Sequence, residues 1–369
     1  MALRAVDLAY QTMLSELEQR CLDAEFDATF PETGLFKKTT VKGRDYWYFH
    51  ERALGKYRKK YVGPDSDPEI AKRVAAFKTI RDDFLARRRL VSTLVNDARL
   101  PRPGDLAGDL AEALWKAGVF RMRAVLVGSM AFGCYPGLLG LRLPAQAMRT
   151  GDMDLAQFHS ISISVDDSVA PVLEVLRGVD ASFRDIPHQM DGRSATKFVN
   201  DGGFVVEFLT PNYSKQDYLG RPAAMPALGG ASAQPLRFLD FVIAEPVRAV
   251  VLHKGGIPVR VPAPERYAVH KLIVASRRAD DDAIFLSKRE KDILQAGILF
   301  EALAQKRRHL DLAVVWAEAW KRGPAWREAI IEGRAMMAVE HRAILGDALR
   351  QGCREVGWKP EDHGCEPAN

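Results

Sequence analysis

Three carboxylates in strand-like segments constrain this 369-residue chain more than any other feature. Asp152 and Asp154 belong to the segment Gly-Asp-Met-Asp-Leu, and Glu207 interrupts the apolar run Phe-Val-Val-Glu-Phe-Leu. On a β-strand, residues two apart point to one face, so the aspartates present their carboxylates side by side. A carboxylate within an apolar strand needs a partner, and a cation shared with the aspartates supplies one. The pattern therefore predicts a metal site built on strands.

Mg²⁺ is the hard, oxygen-preferring ion that such carboxylates favour. Three carboxylates around two ions about 3.5–4 Å apart suit in-line phosphoryl or nucleotidyl transfer. Gly128 and Ser129 follow an expected buried strand over residues 124–127 and precede an expected helix. Backbone N–H groups and a hydroxyl at such a place bind phosphate oxygens. The predicted cofactor is therefore Mg²⁺, as two ions with Mn²⁺ as the alternative.

In this order the segments resemble the DNA polymerase β-type nucleotidyltransferase superfamily, over about residues 118–305. The stretch Arg149–Leu155 is similar to the Asp-x-Asp region of bacterial nucleotidyltransferases of the AbiEii-like toxin group and related groups. The stretch 206–211 is similar to their strand with the third carboxylate. Two further segments resemble their later helices, residues 262–272 with Lys271 and residues 291–296 with Lys291-Asp292.

The resemblance implies roles for particular residues. Asp152 and Asp154 bind Mg²⁺, Glu207 helps to activate the acceptor hydroxyl and also belongs to the predicted metal site, and the substrate is an NTP. The residues assigned to nucleotide binding are Gly128, Ser129, Lys271, Lys197 and Arg277. Lys271 has a plain alternative, because it can flank an apolar helix face with its ammonium in water.

Two departures from the family pattern stand out. Ser129 and Asp152 are 23 positions apart, which is longer than usual, so residues 132–148 resemble an insertion. The third carboxylate is Glu where Asp is common, and its longer reach can alter metal occupancy. Neither departure removes a required group.

The predicted fold class is α+β (mixed α/β): a nucleotidyltransferase-type mixed sheet flanked by helices. We predict three parts, which are residues 1–117 with a helical region and a basic aromatic β-meander, 118–262 as the catalytic domain, and 263–369 as a helical domain. Local patterns predict a strand over 153–165, an irregular excursion over 220–235, one helix over 326–350 and a disordered tail after Trp358.

The meander, within residues 35–62, alternates aromatic residues with many lysines and arginines. Two interpretations stay open. Aromatic faces for base stacking with cations for phosphates are typical of an RNA platform. A small sheet with one aromatic core face and one solvated basic face has the same composition.

Composition excludes several other classes. The four cysteines form no CxxC or Cys/His cluster, which disfavours a disulfide framework or a zinc module. No signal peptide, membrane-spanning segment, P-loop, G-x-G-x-x-G after a strand or G-x-S-x-G occurs, so we expect a cytoplasmic protein with no membrane partner. A net charge of +5 permits an anionic partner without requiring one.

The sequence as a whole predicts a nucleotidyltransferase that moves an NMP from an NTP to an acceptor hydroxyl. The expected acceptor is RNA, above all a tRNA end, and the toxin-like resemblance adds a protein inhibitor, an antitoxin, to the expected partners. Two alternatives stay open. One is transfer to a small molecule or a protein, and the other is a non-catalytic nucleic-acid-binding regulator with the same fold.

Overall fold

A computed structural model of the chain describes residues 3–23, 34–41, 43–53, 56–148, 151–164, 168–214, 217–278 and 283–365. The fold is mixed α+β, 52% helical and 22% strand, with a mixed sheet flanked by helices, which confirms the predicted class. The helices are α1 (Leu8–Asp23), α2 (Pro68–Asn96), α3 (Asp105–Lys116), α4 (Gly128–Phe132), α5 (Tyr135–Leu139), α6 (His159–Ser164), α7 (Val172–Arg177), α8 (Leu239–Val242), α9 (Pro264–Ser276), α10 (Ala283–Gln305), α11 (His309–Lys321), α12 (Pro324–Ala335) and α13 (Val339–Glu355).

The central sheet has the path β11-β12-β10-β7-β5, and β9 with β8 adds to the first half of β10. β10 runs parallel to β7 and β12, whereas β5 is antiparallel to β7 and β9 is antiparallel to β10. The strands are β1 (Arg4–Ala5), β2 (Leu35–Val41), β3 (Arg44–Ala53), β4 (Lys56–Pro64), β5 (Val125–Val127), β6 (Leu141–Arg142), β7 (Asp152–Ala156), β8 (Arg184–His188), β9 (Asp191–Val199), β10 (Val205–Asn212), β11 (Ala223–Ala224), β12 (Ser232–Arg237), β13 (Val247–Val251) and β14 (Ile257–Val261).

Alternation along β7 and β10 decides which side chains are buried. Met153, Leu155, Val206 and Phe208 point into the main core, so the residues between them point to the other face. The same core continues through α3, α9, α10 and the C-terminal helices to Cys365. The sheet and the C-terminal helices therefore share buried surface, and the division into three parts stays a prediction.

The N-terminal sheet β2-β3-β4 is antiparallel, as the meander predicted. It packs against the first half of α2, where Phe77 contacts Phe36 and Phe49 with ring centroids 5.0 and 5.5 Å apart. The second half of α2 packs on α1 and on the turn between β13 and β14, where Arg87 donates a hydrogen bond to the carbonyl oxygen of Gly255.

Four local predictions were wrong in part. β7 ends at Ala156, because its neighbour β5 begins opposite that residue, and 159–164 form α6 instead of continuing the strand. The 220–235 excursion includes β12, which pairs with β10. The predicted helix 326–350 is divided between α12 and α13, since Ala338 has extended dihedrals.

The tail after Trp358 is ordered as far as the structure describes it. A 3₁₀ turn spans Pro360–His363, the rings of Trp358 and His363 lie 4.6 Å apart, and Cys365 is fully buried. The segment 132–148, which resembled an insertion, contains α5 and the short β6, which pairs with β1 near the N-terminus. None of the helices in the described parts combines the length and apolar character needed to cross a bilayer.

Candidate active site

Strand register places the three predicted carboxylates on one face of the sheet. Asp154 lies opposite Glu207 in the parallel pair β7–β10, and Val127 of β5 flanks Asp154 on its other side. Asp152 precedes Asp154 by two residues and therefore shares its face. Met153, Val206 and Phe208, which alternate with these carboxylates along β7 and β10, are fully buried. The three carboxylates are half-buried. The face with the carboxylates is accordingly the one on which a ligand can reach them.

Like-charge repulsion adds to burial on this face. Burial, followed by the charges of Asp152 and Glu207, raises the pKa of Asp154 to about 7. Burial also raises the pKa of Glu207, although Lys197 opposes that shift. Two neighbouring acids with raised pKa values indicate a site where burial and mutual repulsion disfavour the ionised carboxylates.

Gly128 lies directly against Asp154. Its φ of +65° belongs to the left-handed region, and a Cβ at this position would overlap Oδ2 of the aspartate. Only glycine satisfies both constraints without a shift of the neighbouring carboxylate. The backbone at the end of β5 thus lies close to the acidic face. A phosphate bound by this backbone would lie beside a cation bound by Asp154.

Lys291 is a candidate site residue to which no role was assigned from the sequence. Its Nζ donates a hydrogen bond to Oγ of Ser129 over 2.7 Å, so α10 places an ammonium at the start of α4. Burial and the nearby Lys271 lower the pKa of Lys291. The signal was present in the segment Lys291-Asp292, which was identified by resemblance but given no role.

Lys271, predicted to bind the triphosphate, faces the same region but already has an acidic partner. Its Nζ lies 2.5 Å from Oδ1 of Asp292, whose other oxygen is 2.7 Å from Nε of Arg278. The nearly buried Asp292 thus holds two cations together. Burial opposes the charge of Lys271, but Tyr267 and Asp292 raise its pKa above the usual value, so it stays protonated.

A cavity of about 600 Å³ lies beside Asp154 and Lys271. Its lining includes Gly128, Asp154, Lys271, Arg277 and Arg278, together with apolar side chains of β10 and α8. Arg277 also donates a hydrogen bond to the carbonyl oxygen of Ala325, which ties it to α12. A cavity with cations and apolar walls beside a carboxylate has the character of a nucleotide pocket.

Lys197 is placed differently from the other predicted cations. It lies opposite Glu207 in the antiparallel pair β9–β10, and its Nζ is 3.3 Å from Oε1 of that glutamate. Its side chain is 45% exposed. Its contact in the structure is therefore with the third carboxylate. Arg149 and Thr150, quoted for the resemblance, lie outside the described residues.

The donor set fits divalent cations of the Mg²⁺ type. All three groups are carboxylates, which hard cations prefer. Burial and then the charges of Asp152 and Glu207 raise the pKa of Asp154, and a bound cation would offset that repulsion. Asp152, Asp154 and Glu207 are the residues that would hold the ions. Within the described residues, however, these oxygens do not come as close together as those of another cluster.

That other cluster consists of Asp109, Glu112 and His253, whose ligand atoms all lie within 4.8 Å of one another. Lys254 lies between the acids, with Nζ 2.7 Å from Asp109 and 2.6 Å from Glu112. Burial opposes ionisation of both acids, yet Lys254 and neighbouring groups hold their pKa values below the usual range. The lysine already supplies the positive charge that a metal would bring.

A protein-family model described as "Nucleotidyltransferase" matches residues 105–321, which is more than half of the chain. The matched range contains every predicted site residue, and Lys291 as well. No curated protein and no solved structure matches the chain.

Proposed function

The chain belongs to this nucleotidyltransferase family, and we propose that it transfers an NMP from an NTP to an acceptor hydroxyl at the carboxylate face of its central sheet. The observation that carries the proposal is the register of β7 and β10. It sets Asp154 beside Glu207, with the backbone of Gly128 against the aspartate.

In this reaction the acceptor oxygen forms a bond to the α-phosphorus, and the bond from that phosphorus to the pyrophosphate oxygen breaks. Glu207, whose raised pKa suits a base, accepts the proton of the acceptor hydroxyl. Ser129, Lys291 and Lys271 bind the phosphate oxygens and orient the leaving group. Mg²⁺, when held by Asp152 and Asp154, supplies positive charge for the triphosphate and the developing pyrophosphate.

RNA, above all a tRNA end, is the proposed acceptor. The direct test incubates the purified protein with each α-labelled NTP, Mg²⁺ and total RNA, and follows both labelled RNA and released pyrophosphate. We expect label transfer with at least one NTP, and its loss in Asp154→Asn and Asp152→Asn. Equal incorporation by the wild type and both variants would overturn the proposal, as would the absence of transfer to any acceptor offered.

A small-molecule acceptor is the second candidate, because a largely apolar cavity of about 720 Å³ also reaches the site. Ser129, Met130 and Cys134 line it, so Gly128 and Ser129, although consecutive, border different cavities. An apolar cavity of this size fits a small molecule better than an RNA backbone. In the same assay, transfer to small hydroxyl compounds but to no RNA would favour this candidate.

The AbiEii-like, toxin-type assignment belongs to the proposal, together with a protein inhibitor and a cytoplasmic location. Its support is the likeness of the segments around Asp154 and Lys271 to that group. Expression in a bacterial host tests it. Growth arrest by the wild type but not by Asp154→Asn is expected of a toxic transferase, whereas arrest by both proteins would point to the non-catalytic regulator.

A further inference from the structure

The N-terminal sheet separates its aromatic residues between two faces. Phe36 and Phe49 face α2 and pack with Phe77, forming a small apolar core. Tyr46 and Tyr48 alternate with Phe49 along β3 and therefore point away from α2. The aromatic run of β3 thus divides into two parts. Phe49 belongs to the small core, whereas Tyr46 and Tyr48 lie on the opposite side of the sheet.

The outward face, here called the tyrosine face, consists of Lys37, Tyr46, Tyr48, Lys59 and Tyr61. The ring of Tyr61 lies 6.1 Å from that of Tyr46 and 5.5 Å from that of Tyr48. Lys37 is the cross-strand partner of Tyr48, and Nζ of Lys59 lies 3.9 Å from the centroid of the Tyr48 ring. Tyr61 is 55% exposed and both lysines are exposed.

The charge of this face is positive. In the described parts of β2, β3 and β4, strand register places no aspartate or glutamate on the outward side of the sheet with these five residues. Asp45 and Asp65 act elsewhere, since Asp45 accepts a hydrogen bond from Thr40 and Asp65 pairs with Lys38. Among the residues that the structure describes, the face therefore combines aromatic rings with ammonium groups and holds no acid beside them.

The tyrosine face also stands apart from the carboxylate site. Phe77 holds the sheet to α2, whereas Arg87, ten residues later, attaches α2 to the turn at Gly255. Ten helical residues span about 15 Å along the helix axis. A ligand on the tyrosine face is thus held by a different surface from the one that holds an NTP.

We propose that the tyrosine face binds single-stranded nucleic acid and, given the proposed function, holds the acceptor strand of the transferase. Tyrosine rings stack on bases without needing a particular sequence, and lysines neutralise the phosphates between them. The positive charge of the face complements the backbone of such a strand.

The test measures binding of short fluorescent oligonucleotides to the full chain by anisotropy, without NTP. The experiment is done with RNA and with DNA of the same sequence, so that it shows which of the two nucleic acids the face prefers. We expect binding that weakens as salt rises from about 50 to 200 mM. The double variant Tyr46→Ala/Tyr61→Ala should weaken it by at least about fivefold for each base that no longer stacks on a ring.

Three controls make the result specific. Tyr213→Ala removes a tyrosine that is 65% exposed and lies outside the N-terminal sheet, and it should leave binding unchanged. Tyr46→Phe/Tyr61→Phe keeps the rings and should retain affinity. Lys37→Gln/Lys59→Gln should reduce the slope of log affinity against log salt by about 0.7 for each phosphate that is no longer neutralised.

Wild-type affinity in the double alanine variant, with an unchanged melting temperature, would overturn the proposal. The absence of binding to both oligonucleotides would also overturn the proposal. In that case a protein partner would be the better explanation for the exposed tyrosines. The outcome is separable from the proposed function, because Asp154→Asn should bind the strand like the wild type. A failure of strand binding with intact NMP transfer rejects only this inference, and intact binding without transfer rejects only the proposed function.

Discussion

Two acidic clusters in this protein differ in what balances their charge. Beside Asp109 and Glu112, Lys254 lies within 2.7 Å of both carboxylates, and their pKa values are lower than usual. At Asp154, burial and, after it, the charges of Asp152 and Glu207 raise the pKa to about 7. The first cluster is a neutralised network that connects α3 to the β13–β14 turn.

In the second cluster, burial and mutual repulsion disfavour the ionised carboxylates, although Lys197 lies 3.3 Å from Glu207. Proteins retain such local destabilisation mainly at sites that bind a ligand. Compactness of the ligand atoms and charge balance therefore point to different clusters, since the tighter cluster of the two is the one that a lysine already neutralises. Four experiments contrast the clusters directly.

The largest difference is expected in catalysis. Asp154→Asn removes a proposed metal ligand and should lower NMP transfer by at least about a hundredfold, the loss typical for a group that stabilises transition-state charge. Asp109→Asn is the matched change in the neutralised cluster and should leave transfer within about twofold of wild type at a temperature where both proteins are folded. Labelled-NMP incorporation measures both, and equal losses would mean that the comparison is wrong.

We expect Mg²⁺ to bind at the Asp154 cluster and not at the Asp109 cluster. A ligand at about 100 times its Kd stabilises the folded state by about 2.7 kcal/mol, so saturating Mg²⁺ should raise the melting temperature of the wild type. The rise should persist in Asp109→Asn and largely vanish in Asp154→Asn. Thermal melts with and without Mg²⁺ measure it. A rise that survives Asp154→Asn but not Asp109→Asn would move the metal site to the other cluster.

Without metal, the two clusters should respond to pH with opposite signs. The pKa of Asp154 is raised in the folded protein, so its contribution to stability is present below about pH 4 and is lost as pH rises through about 7. Metal-free Asp154→Asn should therefore be more stable than wild type at about pH 8, with the gain disappearing in acid.

The pKa of Asp109 is lowered, so its contribution is present above the unfolded value and is lost as pH falls. Asp109→Asn should accordingly be less stable than wild type near neutrality, and the deficit should shrink in acid. Chemical denaturation across pH measures both differences. The same sign for the two variants would contradict the contrast in charge balance.

The smallest effects are expected at the glycines that contact each cluster. Gly128→Ala would displace Asp154 and should reduce transfer by about tenfold, or about 1.4 kcal/mol. Gly203→Ala shares the positive φ but meets nothing within 4 Å, so it controls for backbone strain. Gly108→Ala would push against His253 and should lower the melting temperature while retaining transfer. If Gly203→Ala loses as much transfer as Gly128→Ala, the contact with Asp154 is not the cause.

Much of the site could be predicted because its signals are local. The alternation Asp-Met-Asp and Val-Glu-Phe assigns side chains to faces as soon as the segments are strands, and the register confirmed that Asp154 and Glu207 are neighbours. The Gly-Ser pair after a buried strand marked the start of α4. Where patterns were ambiguous the prediction was weaker. The alternating Ser and Ile of 160–164 are equally compatible with a strand, yet they form a helix beyond the point where β5 stops flanking β7.

The identity of the elements, the faces of their side chains and the acidic character of the site were determined by the sequence, because periodicity and residue type act over a few positions. The partner of each cation was decided only by the tertiary structure. Lys291 meets Ser129, Lys271 meets Asp292 and Lys197 meets Glu207, across separations that no local pattern encodes. A long side chain takes the nearest opposite charge or hydroxyl that packing brings to it, and packing is a property of the whole fold.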